Sequence, residues 1–322
     1  MKNSAVLSAA LLLAACGGGG SGDSGVSASQ PVAVTSANAS EVAAAGLNAS
    51  DGLTGNSEGI LGIVPAALGP SVSTDVNIVE TLIGQIRKAP QYNTSGVHPA
   101  AVLNESQNCD SGTINVSFND ADNDLALSTG DTVSMTANNC VFGGVSMNGS
   151  ISMTNVVVSG DEFSPPYSLQ FSLQTNGFSV SAGVETVSMR GAGTIAESSS
   201  DGISVTSTFS GAGIEITAAG ETLTLTDYQI TETENLATGA YSFSINATIS
   251  STSLGGSVRV TTDIVFSGVD PFDPDAGQLT CVGENNSSVT LVVIDSVNVR
   301  LDVDVDGDGI VDDSSTEAWA AL

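Results

Sequence analysis

The sequence holds a single histidine, His98, and a single lysine beyond its first few residues, Lys88. A Ser-His-Asp triad, a histidine metal site or a Schiff base would each have to run through one of these two side chains. Both sit in stretches that read as loop, Arg87-Lys88-Ala89-Pro90 and Val97-His98-Pro99. A solvated loop role is expected for His98, and the chain reads as a non-enzyme. Aromatic residues make up only 4% of the chain. Carboxylate-only glycoside hydrolysis is the one enzymatic chemistry the inventory leaves open, and the scarcity of aromatic sugar platforms weighs against it. Four Tyr and one Trp also cannot form the two aromatic girdles of a transmembrane barrel. Positive charge is equally scarce: six Lys plus Arg face 35 Asp plus Glu, for a formal charge of -29. Without clustered cations the chain repels nucleic acid and anionic lipid head groups alike.

What remains is 41% hydrophobic and only 13% charged, with abundant Ser, Thr, Asn and Gly. That composition suits β-strands with hydroxyl-rich outer faces, not a charged disordered chain. From about residue 112 onward the pattern has a period of two. Val145, Met147, Ile151, Met153 and Val157 alternate with Ser146, Asn148, Ser150, Ser152 and Thr154. Tyr167, Leu169, Phe171 and Leu173 form a second such run, and Tyr241, Phe243, Ile245 and Ile249 a third. Val289, Leu291 and Val293 precede a last one, Val297, Val299, Leu301 and Val303. Asn176-Gly177, Asp201-Gly202, Gly255-Gly256 and Asn285-Asn286 stand as hairpin turns between runs. No helical stretch intervenes for parallel crossovers. The expectation is a mostly β fold, a large antiparallel meander of roughly 10–14 strands. It forms a curved sheet, a two-layer sandwich or a closed barrel. Val145-Ser146-Met147-Asn148-Gly149 is echoed faintly by Val187-Ser188-Met189-Arg190-Gly191.

Ahead of this region, Ser73-Thr74-Asp75 offers a helix N-cap, and Val76, Val79, Leu82, Ile83 and Ile86 follow at helical spacing. One amphipathic helix is expected over 74–87, ended by Pro90. At the N-terminus, Lys2 is followed by an apolar run from Ala5 to Ala15 that is too short to span a bilayer. Leu13-Ala14-Ala15-Cys16 closes that run, and Gly17 to Gly20 follow. This stretch resembles the lipobox of bacterial lipoproteins. The resemblance implies removal of residues 1–15 as a signal peptide, lipidation of Cys16 and a bacterial envelope location. Gly17, where an Asp would favour inner-membrane retention, implies the outer membrane. The membrane is then a partner through the lipid alone. Residues 16–70, rich in Gly, Ser and Ala, read as a flexible tether, and 71–322 as the β-rich domain with its one helix.

With Cys16 accounted for by lipid, Cys109, Cys140 and Cys281 remain in an oxidising compartment. Cys109 and Cys140 bracket a compact segment and are the preferred disulfide pair. Cys281 is then buried and free.

Two acidic loops carry the remaining chemistry. Asp304-Val305-Asp306-Gly307-Asp308-Gly309-Ile310-Val311-Asp312 places carboxylates at alternate positions of a glycine-turned segment. Calcium takes six to eight oxygen ligands on such curved backbone. Asp304, Asp306, Asp308 and Asp312 are the candidate ligands, with Ile310 packing its side chain inward. The segment resembles the calcium loops of thrombospondin type 3 repeats and EF-hand-like domains. Asp120, Asp122, Asp124 and Asp131 form the second candidate set, in a stretch similar to an EF-hand or dockerin loop apart from Leu125 in place of Gly. A third acidic turn, Asp270 to Asp275, reads as a rigid loop because of Pro271 and Pro274.

The order Phe118-Asn119-Asp120, Asn138-Asn139-Cys140, the Asp-Gly-Asp-Gly loop and Trp319-Ala320-Ala321-Leu322 resembles a group of uncharacterised proteobacterial lipoproteins. That resemblance implies an architecture and a location, with no activity attached. The functional expectation is a lipid-anchored envelope protein with a calcium-stabilised β domain in a structural or binding role. The alternative is a carrier of an acyl chain or lipid on the apolar face of a curved sheet.

Overall fold

The computed structural model describes residues 29–54, 102–123, 127–142, 145–161, 164–182, 185–218, 220–270 and 272–322. Cys16, the 74–87 segment, Lys88, His98, Asp124 and Leu125 lie outside them. Among the described residues, one α-helix, α1 (Ala39–Thr54), precedes fourteen strands. These are β1 (Val102–Asn108), β2 (Ser111–Asn119), β3 (Thr132–Phe142), β4 (Val145–Asp161), β5 (Ser164–Ala182), β6 (Glu185–Ser199) and β7 (Ser204–Ala218). They continue with β8 (Glu221–Asn235), β9 (Ala240–Ser251), β10 (Gly256–Val269), β11 (Ala276–Val282), β12 (Ser288–Val293), β13 (Asn298–Asp304) and β14 (Asp313–Ala318). They pair in sequence order as one antiparallel meander. The sheet is open: β1 and β14 are its two edges and do not pair with each other.

The alternation read from sequence is largely the alternation of the sheet. Phe171 and Leu173, Ile245 and Ile249, Leu291, Val299, Leu301 and Val303 all face inward and are buried. Each such side chain contributes about 1.5–3 kcal/mol when removed from water. The outward positions form cross-strand hydroxyl pairs, such as Thr206 with Thr233 at 3.0 Å and Thr217 with Thr222 at 3.0 Å.

Bulges interrupt that alternation along a line through the long strands. Register slips at Asn148/Ser150 between β4 and β5, at Thr175/Phe178 between β5 and β6, and at Ala192/Thr194 between β6 and β7. Gly149 and Gly191 sit on this line with φ of 95° and 133°. A Cβ at Gly149 would meet the Gly177 carbonyl, and one at Gly191 the Gly213 carbonyl. The two echoed segments therefore flank one bulge of β5 around Gly177, with Gly149 on one side and Arg190 beside Gly191 on the other. Bulges bend and twist strands, which curls a wide sheet without closing it.

Three local expectations are corrected. Asn176-Gly177, expected as a hairpin turn, lies inside β5 at a register slip. Val157, expected inward, is exposed because Asn155 takes φ of 54° and turns Val156 into the core instead. Val297 lies in the turn before β13 and is also exposed.

The tether reading of 16–70 does not hold for residues 29–54. Pro31 bridges Ser257, Val32 N–H donates to the Ser257 carbonyl at 3.0 Å, and Glu284 N–H donates to the Val32 carbonyl at 2.8 Å. Asn38 then starts α1, its carbonyl accepting the Val42 N–H at 2.9 Å, while its side-chain oxygen accepts the preceding Thr35 N–H at 2.8 Å and fixes the entry of the chain. Glu41 occupies the first turn, where the helix dipole favours a carboxylate. The helix packs on β8, β9, β11, β12 and β13 through Val42, Ala43, Ala45, Leu47 and Ala49. A Cβ at Gly46 would lie 2.8 Å from Leu279 and 3.0 Å from the Cys281 sulfur. Small residues thus let this helix approach the sheet closely, and the same small residues resemble linker composition.

Candidate metal centre

In a meander, successive connections alternate between the two ends of the sheet. The β2–β3 and β13–β14 connections, which hold the two acidic loops, fall at opposite ends and near opposite edges.

The loop between β13 and β14 is a chain of side chain to backbone turns. The two carboxylate oxygens of Asp304 accept the N–H groups of Gly307 at 2.7 Å and Gly309 at 2.8 Å. Asp306 accepts from Asp308 N–H at 3.2 Å, and Asp308 from Ile310 N–H at 2.8 Å. Gly307 and Gly309, at φ of 76° and 84°, provide the left-handed backbone this curvature needs. One oxygen from each of Asp304, Asp306 and Asp308 lies within 4.8 Å of the others, with Asp304 buried and the other two exposed. Asp312 does not join them. Its Oδ2 accepts the Val305 N–H at 2.8 Å and so ties the loop shut across its base. Ile310 is exposed rather than packed inward, because its N–H is drawn to Asp308 at the outer tip of the loop.

The loop between β2 and β3 brings Asp120, Asp122 and Asp131 together within the same 4.8 Å limit. Asp131 is fully buried, and its oxygens accept Ala121 N–H at 2.8 Å and Ser128 N–H at 2.6 Å. Asp120, also buried, accepts Asn123 N–H at 2.6 Å. The Ser128 hydroxyl donates to Asp122 at 3.1 Å. Asp124 and Leu125 fall outside the described residues. Cys109 and Cys140 form a disulfide, as the spacing suggested, joining the turn after β1 to β3. Cys281 is free and buried against α1, with its sulfur 3.7 Å from the Val42 carbonyl. Burial, with Asp263 adding to it, pushes this thiol up to about 12.

Three carboxylates confined to 4.8 Å repel one another by roughly 1–3 kcal/mol per pair, depending on how far water screens them. The backbone N–H groups offset part of that cost and fix the oxygens in place. A hard divalent cation would offset the rest. Arg300 does not take this part: it forms a bidentate pair with Asp302 at 2.8–3.0 Å on β13. Burial raises the Asp302 carboxyl, but the Arg300 and Ser314 hydrogen bonds outweigh it and hold the group below the usual range.

Comparison of the chain with protein-family models, curated proteins and solved structures returns no match. Its chemistry must therefore be read from its own residues. The Asp270–Asp275 turn is not among the acidic clusters found in the described residues. It is instead fixed by Asp270 N–H to Gly239 and Asp275 N–H to Ser267, both at 2.9 Å. Composition alone did not draw attention to Ser287, although it anchors the N-terminal segment. Its only sequence signal is its place directly after the Asn285-Asn286 turn.

Proposed function

We propose that this chain is a lipid-anchored protein of the bacterial envelope, held in the outer membrane through Cys16. Its β domain is stiffened by calcium and serves a structural or binding role. The observation that carries the calcium reading is the pair of carboxylate triads, each preorganised by its own backbone N–H groups, at opposite ends of one open sheet. Calcium at Asp304, Asp306 and Asp308 would tie β13 to the edge strand β14. Calcium at Asp120, Asp122 and Asp131 would do the same for β2 and β3. An open sheet frays from its ends and edges, and these are the places where cross-links count most.

The test is the melting temperature of the full chain, with and without calcium, alongside calorimetric titration. A ligand that binds only the folded state adds about 2.7 kcal/mol at a hundredfold excess over Kd. A rise with calcium and a fall with chelator supports the reading. No change in melting temperature and no heat of binding refutes it. Fatty-acid labelling of wild type against Cys16→Ser tests the anchor separately.

A carrier role is the second reading. It would use the apolar inner face of the sheet, where Met135 on β3, Met153 on β4 and Phe171 on β5 are already buried in the folded chain, so an acyl chain would have to displace what covers them. An acyl chain co-purifying with the protein, identified by mass spectrometry after extraction, would favour it over a purely structural role.

A further inference from the structure

We propose that the end of the sheet carrying the β6–β7, β8–β9, β10–β11 and β12–β13 connections docks a cationic, amphipathic protein segment. Each of these connections presents a large apolar side chain to water: Ile203, Leu236, Phe272, and the pair Ile294 and Val297. All five are between 45% and 67% exposed. Singly exposed apolar residues are ordinary, but a row of them along one end of a sheet marks an interaction surface.

The first three connections of the row are hydrogen-bonded to one another, and the turns at both ends are capped. Leu236 N–H donates to the Ile203 carbonyl at 2.8 Å, joining the first two hairpins. Asp270 N–H donates to the Gly239 carbonyl at 2.9 Å, and the Tyr241 hydroxyl donates to the Phe272 carbonyl at 2.8 Å, joining the second and third. Asp201 caps its turn through Ile203 and Ser204 N–H, and Asp295 caps its own through Val297 and Asn298 N–H. The Trp319 indole N–H closes the far end on the Asp295 carbonyl at 3.1 Å. Loops held this way lose little entropy when a partner binds.

Charge selects the partner. The same connections carry Asp201, Asp270, Asp273, Asp275 and Asp295, with no Lys or Arg among them. An anionic bilayer and a second copy of this chain, itself at -29, are both repelled. A segment with apolar side chains on one face and Lys or Arg flanking it satisfies both features. Six strand spacings separate the first and last connections, about 29 Å along the sheet. That is the length of a helix of about 19 residues.

The test titrates the full chain calorimetrically with a synthetic 18-residue amphipathic Leu/Lys helix, using a Leu/Glu helix of the same pattern as control. Saturable one-to-one binding of the Leu/Lys helix is expected, weakened at least tenfold by Leu236→Ser and by Phe272→Ser. Ile264→Ser removes a side chain that is equally exposed but lies within β10, and it should leave the affinity unchanged. Hydrogen-exchange protection should fall on the four connections, and unchanged melting temperatures would verify folding of the variants. Binding indifferent to Leu236→Ser and Phe272→Ser, or weakened equally by Ile264→Ser, would reduce the effect to bulk charge and overturn the proposal. Equal binding of the Leu/Glu helix would do the same. Sedimentation with phosphatidylcholine vesicles that is lost in Phe272→Ser would reassign the surface to a bilayer. A dimer lost in Leu236→Ser would reassign it to a second copy.

Discussion

The backbone N–H of Val34 donates to the hydroxyl of Ser287 at 2.8 Å, in a buried contact that spans 253 positions of sequence. The Ser287 hydroxyl donates in turn to the Glu284 carbonyl at 2.7 Å. One hydroxyl therefore joins the N-terminal segment to the β11–β12 turn and holds that turn in shape.

Ser287→Ala should cost about 1–3 kcal/mol, because it strands a buried backbone donor. Denaturant unfolding would measure the loss. Hydrogen exchange should quicken across residues 29–40 before it does so in β3–β7. A loss below about 0.5 kcal/mol, which is the ordinary surface range, would show that Val34 finds another acceptor.

The acidic loop after β13 separates scaffold from ligand. Asp304 uses both oxygens on backbone N–H groups, whereas Asp306 and Asp308 are exposed and make one such bond each. Asp304→Ala should lower stability by about 1–3 kcal/mol even in chelator. Asp306→Ala should change stability in chelator by under about 0.5 kcal/mol yet remove most of the calcium-dependent rise in melting temperature. Thermal scans of both variants in chelator and in millimolar calcium distinguish the roles. Equal behaviour of the two would contradict this division.

Cys281 gives a pH signature. Its thiol is pushed up to about 12 in the folded chain. An unfolded thiol titrates near 8.5. A raised value means that the stabilisation is complete below the unfolded value and is lost as pH climbs through the interval toward the folded one. Wild type should therefore lose stability relative to Cys281→Ala as pH rises above about 8.5. At pH 8 a thiol reagent should reach Cys281 only as fast as the chain opens, since a buried neutral thiol is inert. Rapid labelling of Cys281 in the native protein would contradict the burial under α1.

Much of this molecule was legible in its sequence because β structure writes its faces with a period of two. Leu291, Val299 and Leu301 could be placed inward from spacing alone, and the absence of helical stretches between runs implied an antiparallel meander. The Cys109–Cys140 pairing and the crowding of Asp304, Asp306 and Asp308 were also legible, since both depend on residues close in sequence. Failures arose where one residue changed the phase. Asn155 turned Val157 outward, and the bulge facing Gly149 absorbed Asn176-Gly177 into a strand.

Sequence by itself determined the strand period, the acidic turns and the scarcity of cations, all of which are local or compositional. Only the tertiary structure decided that Val34, Val42, Ala43, Ala45, Leu47 and Ala49 belong to the core. An Ala- and Gly-rich segment has too little apolar area to announce itself. It is stabilised by how closely it can approach Leu279 and Cys281, which no local pattern encodes. The tertiary structure likewise put the two carboxylate clusters at opposite ends of the sheet and gathered Ile203, Leu236, Phe272, Ile294 and Val297 at one of them. Those positions are set by the parity of the connections in a fourteen-strand meander, a property of the whole pairing order that no single segment carries.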